Sequence, residues 1–262
     1  MNDEKTTTTS EKRAASVLLN GLAVLEAFTI EEPVLGVTEI ARRVGFHKST
    51  VSRILATLEQ AGYVEREAQG GRFRLGLGLI ALTGPLLADL DVRRVAAASL
   101  QQLAGRTEET SAIMVWNGHE SVVVEQVMSP KQVKHTSAIG TRYNTYESAS
   151  VQIFLADLSA AEVDRLLERR LIVSSHGDGE PIDRAVDFAR IREQGYAVND
   201  GRTSAEEVGI AAPVRDHRGD TVAAVLLSAP RFRVPPTLIE ILARDVVAGA
   251  AEVSARLGNT GD

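Results

Sequence analysis

TEIARRVGFHKSTVSRILATLEQAGYVER, residues 38–66, is the stretch on which the fold of this chain turns. Val51, Ile54, Leu55 and Leu58 recur at steps of three and four, the spacing of one apolar stripe on an α-helix, and Gly62 supplies a C-terminal stop. On a helical wheel the opposite side carries Ser49, Arg53, Ala56 and Gln60, with Ser52 and Thr57 flanking. Upstream, Thr38 reads as the N-cap of a shorter helix over about 39–44, with Glu39 favourably placed in its first turn and Gly45 at its end. A short connection, GFHK, joins the two. This is the pattern of a helix-turn-helix, whose second helix lies in the DNA major groove while the first crosses the backbone.

Working outward, Val17, Leu18, Leu22, Leu25 and Phe28 mark an amphipathic helix over 14–28. Tyr63–Arg66 and Arg72–Leu75 read as short strands joined by EAQGG, a hairpin that forms a wing. Residues 76–91 form an apolar helical connector interrupted by Gly84 and Pro85, whose apolar excess suggests burial against another subunit or domain. Beyond it, a helix over 93–107 precedes strands over 112–116 and 121–127. Helices over 148–157, 160–170 and 182–194, strands over 196–199, 210–214 and 222–228, and a last helix over 236–257 complete the pattern. The expected class is therefore α/β with two domains. A polar tail expected to be disordered (1–13) precedes a winged helix-turn-helix (14–75), a linker helix (76–91) and an α+β domain (92–262).

The chain has 262 residues, no cysteine and a net charge of −6, with 44% hydrophobic and 24% charged residues. That excludes a disulfide scaffold, a thiolate nucleophile and a Cys-based zinc site. Without a signal-like or membrane-length apolar run, a cytoplasmic protein is expected, with no membrane partner. The overall acidity masks a local excess. Between Arg42 and Arg74 there are seven basic residues against three acidic ones, a net of +4, and phosphate neutralisation dominates affinity for nucleic acid.

The outer face of the second helix has the chemistry to read DNA. Arg53 could donate two bonds to guanine, Ser49, Thr50 and Ser52 could meet phosphates or bases, and Ala56 could touch a thymine methyl. Lys48 and the exposed helix-start amides favour a phosphate, and Arg72 or Arg74 on the wing could reach an adjacent backbone or minor groove. Thr38 is counted with this DNA-binding set. A single helix of this kind is most often an amphipathic helix with a solvated face; three helices, a short turn and a basic hairpin together argue for DNA.

TEIARRVGFHKSTVSRILATLEQAGYVER followed by GGRFRLG resembles the winged helix-turn-helix of the bacterial IclR family of regulators. EQGYAVNDG, GIAAPVRD and AAVLLSAP resemble its C-terminal blocks in order and spacing, so the likeness runs from about Val17 to Leu257. It implies a GAF-like effector domain, a homodimer or homotetramer, palindromic operator DNA and a small-molecule effector, commonly an organic acid, in control of catabolic genes. Carried over residue by residue, it nominates Tyr146, Ser148, Ala149, Ser150, Asn199, Gly209, Leu226 and Ser228 as the effector site. Helix-start amides and hydroxyls suit a carboxylate.

Departures bear on the ligand. Where the family commonly has His-Ala-Thr/Ser followed by Gly-Lys, this chain has Tyr146, Glu147, Ser148, then Val151 and Gln152; a frequent acid is Asn199, a frequent cysteine is Gly209, and Leu226 replaces one of two hydroxyls. Losing the lysine removes a charge, which points to an effector larger or more apolar than glyoxylate or pyruvate, such as an aromatic acid; the alternative is packing substitution around an unchanged ligand type. The expectation is a ligand-responsive regulator, read as a repressor, without catalysis, cofactor or metal. An activator using the same contacts, an enzyme acting on a small acid and a structural or partner-binding DNA-associated protein that senses nothing are the rivals.

Other signals carry less. GLGLIA at 76–81 matches a loose dinucleotide fingerprint but follows the charged strand RFRL, so its glycines read as a wing-to-linker junction. His47, His119, His135, His176 and His217 show no metal spacing, and no G-x-S-x-G nucleophile elbow occurs. Asp178, Glu180, Asp183 and Asp187 read as caps and solvated face around a helix start.

Overall fold

The computed structural model describes residues 17–67, 70–89, 91–136, 138–174 and 184–259, and the chain divides after Asp89 into two compact units. The expected tail over 1–13, and Asp178, Glu180, Asp183 and His176, lie outside the described residues.

In the first unit, helix α1 covers residues 17–26, followed by β1 (Val34–Leu35), α2 (Val37–Val44), α3 (Lys48–Gln60), β2 (Val64–Arg66), β3 (Phe73–Leu75) and α4 (Gly78–Asp89). Its core is Val24, Phe28, Leu35, Ile40, Val51, Leu55, Val64 and Phe73, with Ile54 and Leu58 packed at its edge. Val17, Leu18 and Leu22, expected on the buried stripe of α1, are 60%, 69% and 50% exposed. Val24, Ala27 and Phe28 fill the core instead, so α1 carries apolar residues on more than the face that this unit covers.

Left-handed glycines end the helices as the sequence suggests. At Gly62 (φ 78°), Gly62 N–H reaches Glu59 O at 3.0 Å and Tyr63 N–H reaches Leu58 O at 2.9 Å, a Schellman pair that satisfies two carbonyls of α3. The start of α2 differs from expectation. Gly36, not Thr38, is the N-cap, and the Glu39 carboxylate reaches back to accept Gly36 N–H at 2.7 Å, holding its pKa below the usual carboxylate value. Thr38 lies two residues too late, inside the helix. The β1 strand pairs with β3 in the order β1-β3-β2; two residues are too few to show alternation. The connector helix α4 continues through Gly84 and Pro85.

The second unit opens with α5 (Asp91–Thr107) and builds a six-stranded antiparallel sheet from β4 (Thr110–Trp116), β5 (Ser121–Val127), β6 (Arg142–Tyr143), β7 (Ala197–Asp200), β8 (Glu207–Arg215) and β9 (Thr221–Pro230), in the order β6-β5-β4-β9-β8-β7. Helices α6 (Ala149–Asp157), α7 (Ala160–Glu168) and α8 (Arg184–Gln194) precede β7, and α9 (Pro236–Arg256) ends the unit. The two-residue periodicity of strands sorts the sheet into two faces. Val208, Ile210, Ala212, Val225 and Leu227 face the α5 and α9 side, whereas Ala112, Met114, Ala211, Ala224 and Leu226 face α6. Residues 149–156 of α6 are all buried, as befits a helix apolar on every side. Next to β4, the 4% exposed Glu109 accepts from Arg233 Nε and Nη2 at 2.9 and 2.7 Å and from Lys131 at 3.2 Å; the bonds to Glu109 raise the Arg233 pKa above its ordinary value.

Candidate nucleic-acid interface and effector site

Helix α3 divides as the wheel predicts. Val51 and Leu55 are buried, while Lys48, Ser49, Ser52, Arg53, Ala56, Thr57 and Gln60 are exposed and Thr50 is half-buried. Its N-cap, His47, gives no side-chain cap; the first helical bonds are Thr50 N–H and Val51 N–H to His47 O, at 2.9 and 3.1 Å. The amides of Lys48 and Ser49 therefore have no acceptor on the helix and offer positive partial charge to an anion. Thr57 is spent on the helix, its Oγ1 donating to Arg53 O at 3.1 Å.

The basic excess separates into free and committed charges. Arg43 pairs with Glu32, Arg66 with Glu59 at 3.5 Å, Arg72 with Glu39 at 3.2 Å and Arg74 with Glu65 at 2.8 Å. Arg72 also donates to Val34 O at 2.7 Å, binding the wing to β1, and Arg66 lies 4.6 Å from the centre of the Phe73 ring. Among the described residues the side chains of Arg42, Lys48 and Arg53 make no hydrogen bond or ion pair, although the Arg42 charge acts on Glu39 without direct contact. The wing arginines thus brace the wing, and they reach a phosphate only by exchanging a carboxylate. Arg42 was visible in the sequence as one basic residue of seven; what marks it is its lack of a partner, which depends on where the acidic residues fall in space.

The nominated effector residues converge at the start of α6. Asn199, Gly209, Ser228 and Thr110 stand in register across β7, β8, β9 and β4, and Leu226 pairs with Ala211 in the adjoining row on the same face. A Cβ on Gly209 would lie 3.7 Å from Leu226, 3.8 Å from Asn199 and 3.9 Å from Ala149, so four of the nominated residues meet around one point. Ser148 is the N-cap of α6, without a side-chain cap bond, and its Oγ lies 3.4 Å from that of Ser150. Gln152 N–H to Ser148 O is the first helical bond, which leaves the amides of Ala149, Ser150 and Val151 without acceptors on the helix. The Ser228 Oγ is buried with no hydrogen-bond partner among the described residues, an arrangement that costs free energy unless a ligand or water completes it.

Two nominees have other work. Asn199 donates to Thr203 Oγ1 at 2.5 Å and accepts from the backbone of Arg202 and Thr203, so its amide ties down the turn after β7. Tyr146 packs its ring 5.9 Å from Phe188 of α8. Thr110, which no sequence signal singled out, sits in the row but is also engaged, donating to His135 O at 2.6 Å and accepting from Ser129 N–H. Among the described residues no arginine or lysine is buried.

Two family models match in sequence order: the IclR helix-turn-helix domain over residues 17–68 and the bacterial transcriptional regulator IclR C-terminal domain over residues 85–255. The chain belongs to the IclR family. As an IclR-family protein it is a DNA-binding transcriptional regulator. It is 26% identical over 245 residues to the transcriptional repressor IclR of Escherichia coli, covering 92% of this chain and 89% of that one. A solved IclR-family regulator domain is 47% identical, covering 64% of this chain and 97% of its own, with a TM-score of 0.60. An IclR homologue from Microbacterium hydrocarbonoxydans, solved with 4-hydroxybenzoate, has the same fold at 23% identity and a TM-score of 0.76, with 92% and 98% of the two chains covered. In this IclR-family chain the loose dinucleotide fingerprint resolves into backbone packing. Gly76 N–H bonds to Tyr63 O at 2.8 Å and Gly78 N–H to Gly62 O at 3.0 Å, and a Cβ on either glycine would come within 2.6 Å of Gly62 O.

Proposed function

We propose that this regulator is an effector-released repressor that binds a palindromic operator as a homodimer, or as a homotetramer built from two such dimers, acting in the cytoplasm and without catalysis. The observation that carries the DNA contacts is the trio of unpaired cations, Arg42, Lys48 and Arg53, beside an exposed small and polar α3 face. Arg53 reads guanine, Ser49, Thr50, Ser52 and Ala56 contact bases or phosphates, Thr38 stands near the backbone, and Arg72 and Arg74 orient the wing. A second copy of the chain covers the exposed Val17, Leu18 and Leu22 of α1 and Leu77, Ile80 and Leu82 around α4; exposed large apolar side chains in these numbers call for such cover.

The effector is a small organic acid, more apolar than pyruvate, with an aromatic acid favoured. Its carboxylate takes the free amides at the start of α6 and the hydroxyls of Ser148, Ser150 and Ser228, and its body lies against Ala149, Gly209, Leu226 and Tyr146. The absence of a cation from the buried set favours a ligand whose binding owes more to apolar burial than to charge. The 4-hydroxybenzoate held by the homologue is the natural first probe. Gel shifts on the promoter beside the protein's own gene, with Arg53→Ala as control, test the operator. Calorimetric titration with 4-hydroxybenzoate, benzoate and pyruvate tests the effector. Binding without sequence preference at moderate salt would overturn the operator reading, and tighter binding of pyruvate the effector reading.

A further inference from the structure

A second cleft lies at the other end of α6. It has a volume of about 340 Å³ and is walled by Trp116, Leu158, Leu166 and Leu171, with Arg165 and Arg169 at its rim. Ser148 begins α6 and Leu158 follows its last residue, so the cleft is roughly 15 Å along the helix from the effector site at 1.5 Å per residue.

Local structure builds this cleft deliberately from the end of α7. Arg170 adopts φ 53°, in the left-handed region. Arg170 N–H bonds to Leu167 O at 2.9 Å and Leu171 N–H to Leu166 O at 2.9 Å, the two bonds of a Schellman cap. The chain thereby folds back so that Leu171 and Leu166 line the same wall. Trp116 is held from behind by Phe154, with the rings 5.2 Å apart at 23°. A fixed flat indole is a stacking surface.

Two guanidinium groups share the cleft with one carboxylate, Glu162, on which the Arg165 charge acts. Arg165 and Arg169 are one helical turn apart, so their guanidinium groups repel. Neither makes an ion pair among the described residues; the one side-chain bond of the two is Arg165 Nε to Ala161 O at 3.2 Å. Acidic residues are close in sequence at Glu162, Asp164 and Glu168. The Glu162 carboxylate, which also lines the cleft, is occupied by the N-cap of its own helix, accepting from Ser159 Oγ at 2.6 Å and Ser159 N–H at 3.0 Å; those bonds hold its pKa below the usual carboxylate value.

We propose that this cleft binds a small aromatic monocarboxylate, the ring stacked on Trp116 among the three leucines and the carboxylate paired with Arg165 and Arg169. Guanidinium matches a carboxylate in two parallel bonds, and a planar ring fits an indole wall better than an aliphatic chain does. This proposal does not depend on the effector site at the start of α6.

Trp116 is the only tryptophan in the chain, so its fluorescence reports on this cleft without interference from another indole. The full-length protein is titrated with benzoate, and with benzyl alcohol as a ring of similar size that lacks the charge. A saturable change in Trp116 emission is expected with benzoate. It should weaken about tenfold or more in Arg165→Ala/Arg169→Ala, by a smaller factor in Arg169→Ala alone, and about tenfold or more with benzyl alcohol. No saturable change up to millimolar benzoate overturns the proposal. So does a change that survives loss of both arginines unaltered, since the signal then originates elsewhere, or equal response to the uncharged ring.

Discussion

Alanine at position 76 would set a methyl carbon 2.4 Å from Gly62 O, 3.1 Å from Gly62 C and 3.2 Å from Tyr63 C. All three are backbone atoms, so no rotamer change can clear them. The nearest ordinary approach of carbon to carbonyl oxygen is about 3.3 Å, so the two segments must part by nearly 1 Å, against the 2.8 Å bond from Gly76 N–H to Tyr63 O that holds them together. Overpacking of this kind costs about 1–3 kcal/mol and a weakened backbone bond about 1 kcal/mol more. The stiffer unfolded chain returns roughly 0.4–1 kcal/mol, because φ at Gly76 is not in the left-handed region. The net is a loss of about 1–4 kcal/mol from the first unit, or about 5–30 °C in its midpoint for a unit of this size. Scanning calorimetry of the full chain, with hydrogen exchange of the α2 and α3 amides to identify the transition, measures it. Gly105→Ala serves as the reference: it lies inside α5 with nothing within 4 Å of the new carbon, so a gain of up to about 1 kcal/mol is expected. If Gly76→Ala unfolds the first unit at or above the wild-type temperature, the close approach at Gly62 is not why these positions are glycine.

Further outcomes follow from the same contacts. Removing Lys48 should lower the salt dependence of operator binding by about one unit of log–log slope, Arg53→Ala should relax specificity at one base pair, and Arg74→Ala should lower the slope by less than Lys48 does because Glu65 already holds it; an equal slope effect at Arg74 would show that the wing pair opens on DNA. Glu39 has its pKa lowered, chiefly by the Gly36 N–H, so its contribution to stability is full above the unfolded carboxylate pKa and is lost as pH falls through the folded one. Acid titration of α2 by hydrogen exchange should therefore be shallower in Glu39→Gln than in the wild type. Arg233→Ala leaves Glu109 buried with only Lys131 beside it and should cost the second unit about 2–4 kcal/mol in denaturant unfolding; a loss near zero would mean that solvent replaces the guanidinium freely. Arg170→Gly relieves a left-handed conformation that glycine adopts without strain, and a small rise in the unfolding midpoint is expected.

The first unit was readable residue by residue because its signals are local. Val51, Ile54, Leu55 and Leu58 sit within two turns of one another, and Gly45 and Gly62 stop their own helices, so pattern and structure agree on α3. Errors arose where two local caps competed or where the partner is distant. Thr38 has good capping chemistry, yet the helix starts two residues earlier because Glu39 can reach the Gly36 amide. The strand β1 exists only because β3, almost forty residues on, offers it an edge. In the second unit the strands over 121–127 and 112–116, the latter begun two residues earlier in the structure, and the fully buried α6 were legible as apolar segments, but their order in the sheet is set by pairings such as β4 with β9, which no local pattern encodes.

The amino-acid sequence by itself determined the periodic elements, their capping glycines, the family and the polar outer face of α3, since each depends on neighbours within a turn or two or on a linear motif. Tertiary structure alone decided which charges are free. Seven basic residues look alike in the chain between Arg42 and Arg74, and the placement of Glu32, Glu39, Glu59 and Glu65 takes four of them out of reach. It likewise decided that Asn199 braces a turn while the Ser228 hydroxyl finds no partner among the described residues, and that Trp116, Arg165 and Arg169 share a cleft. Charge pairing and burial depend on distance in space rather than along the chain, and at a few ångströms their energies change faster than any sequence pattern can register.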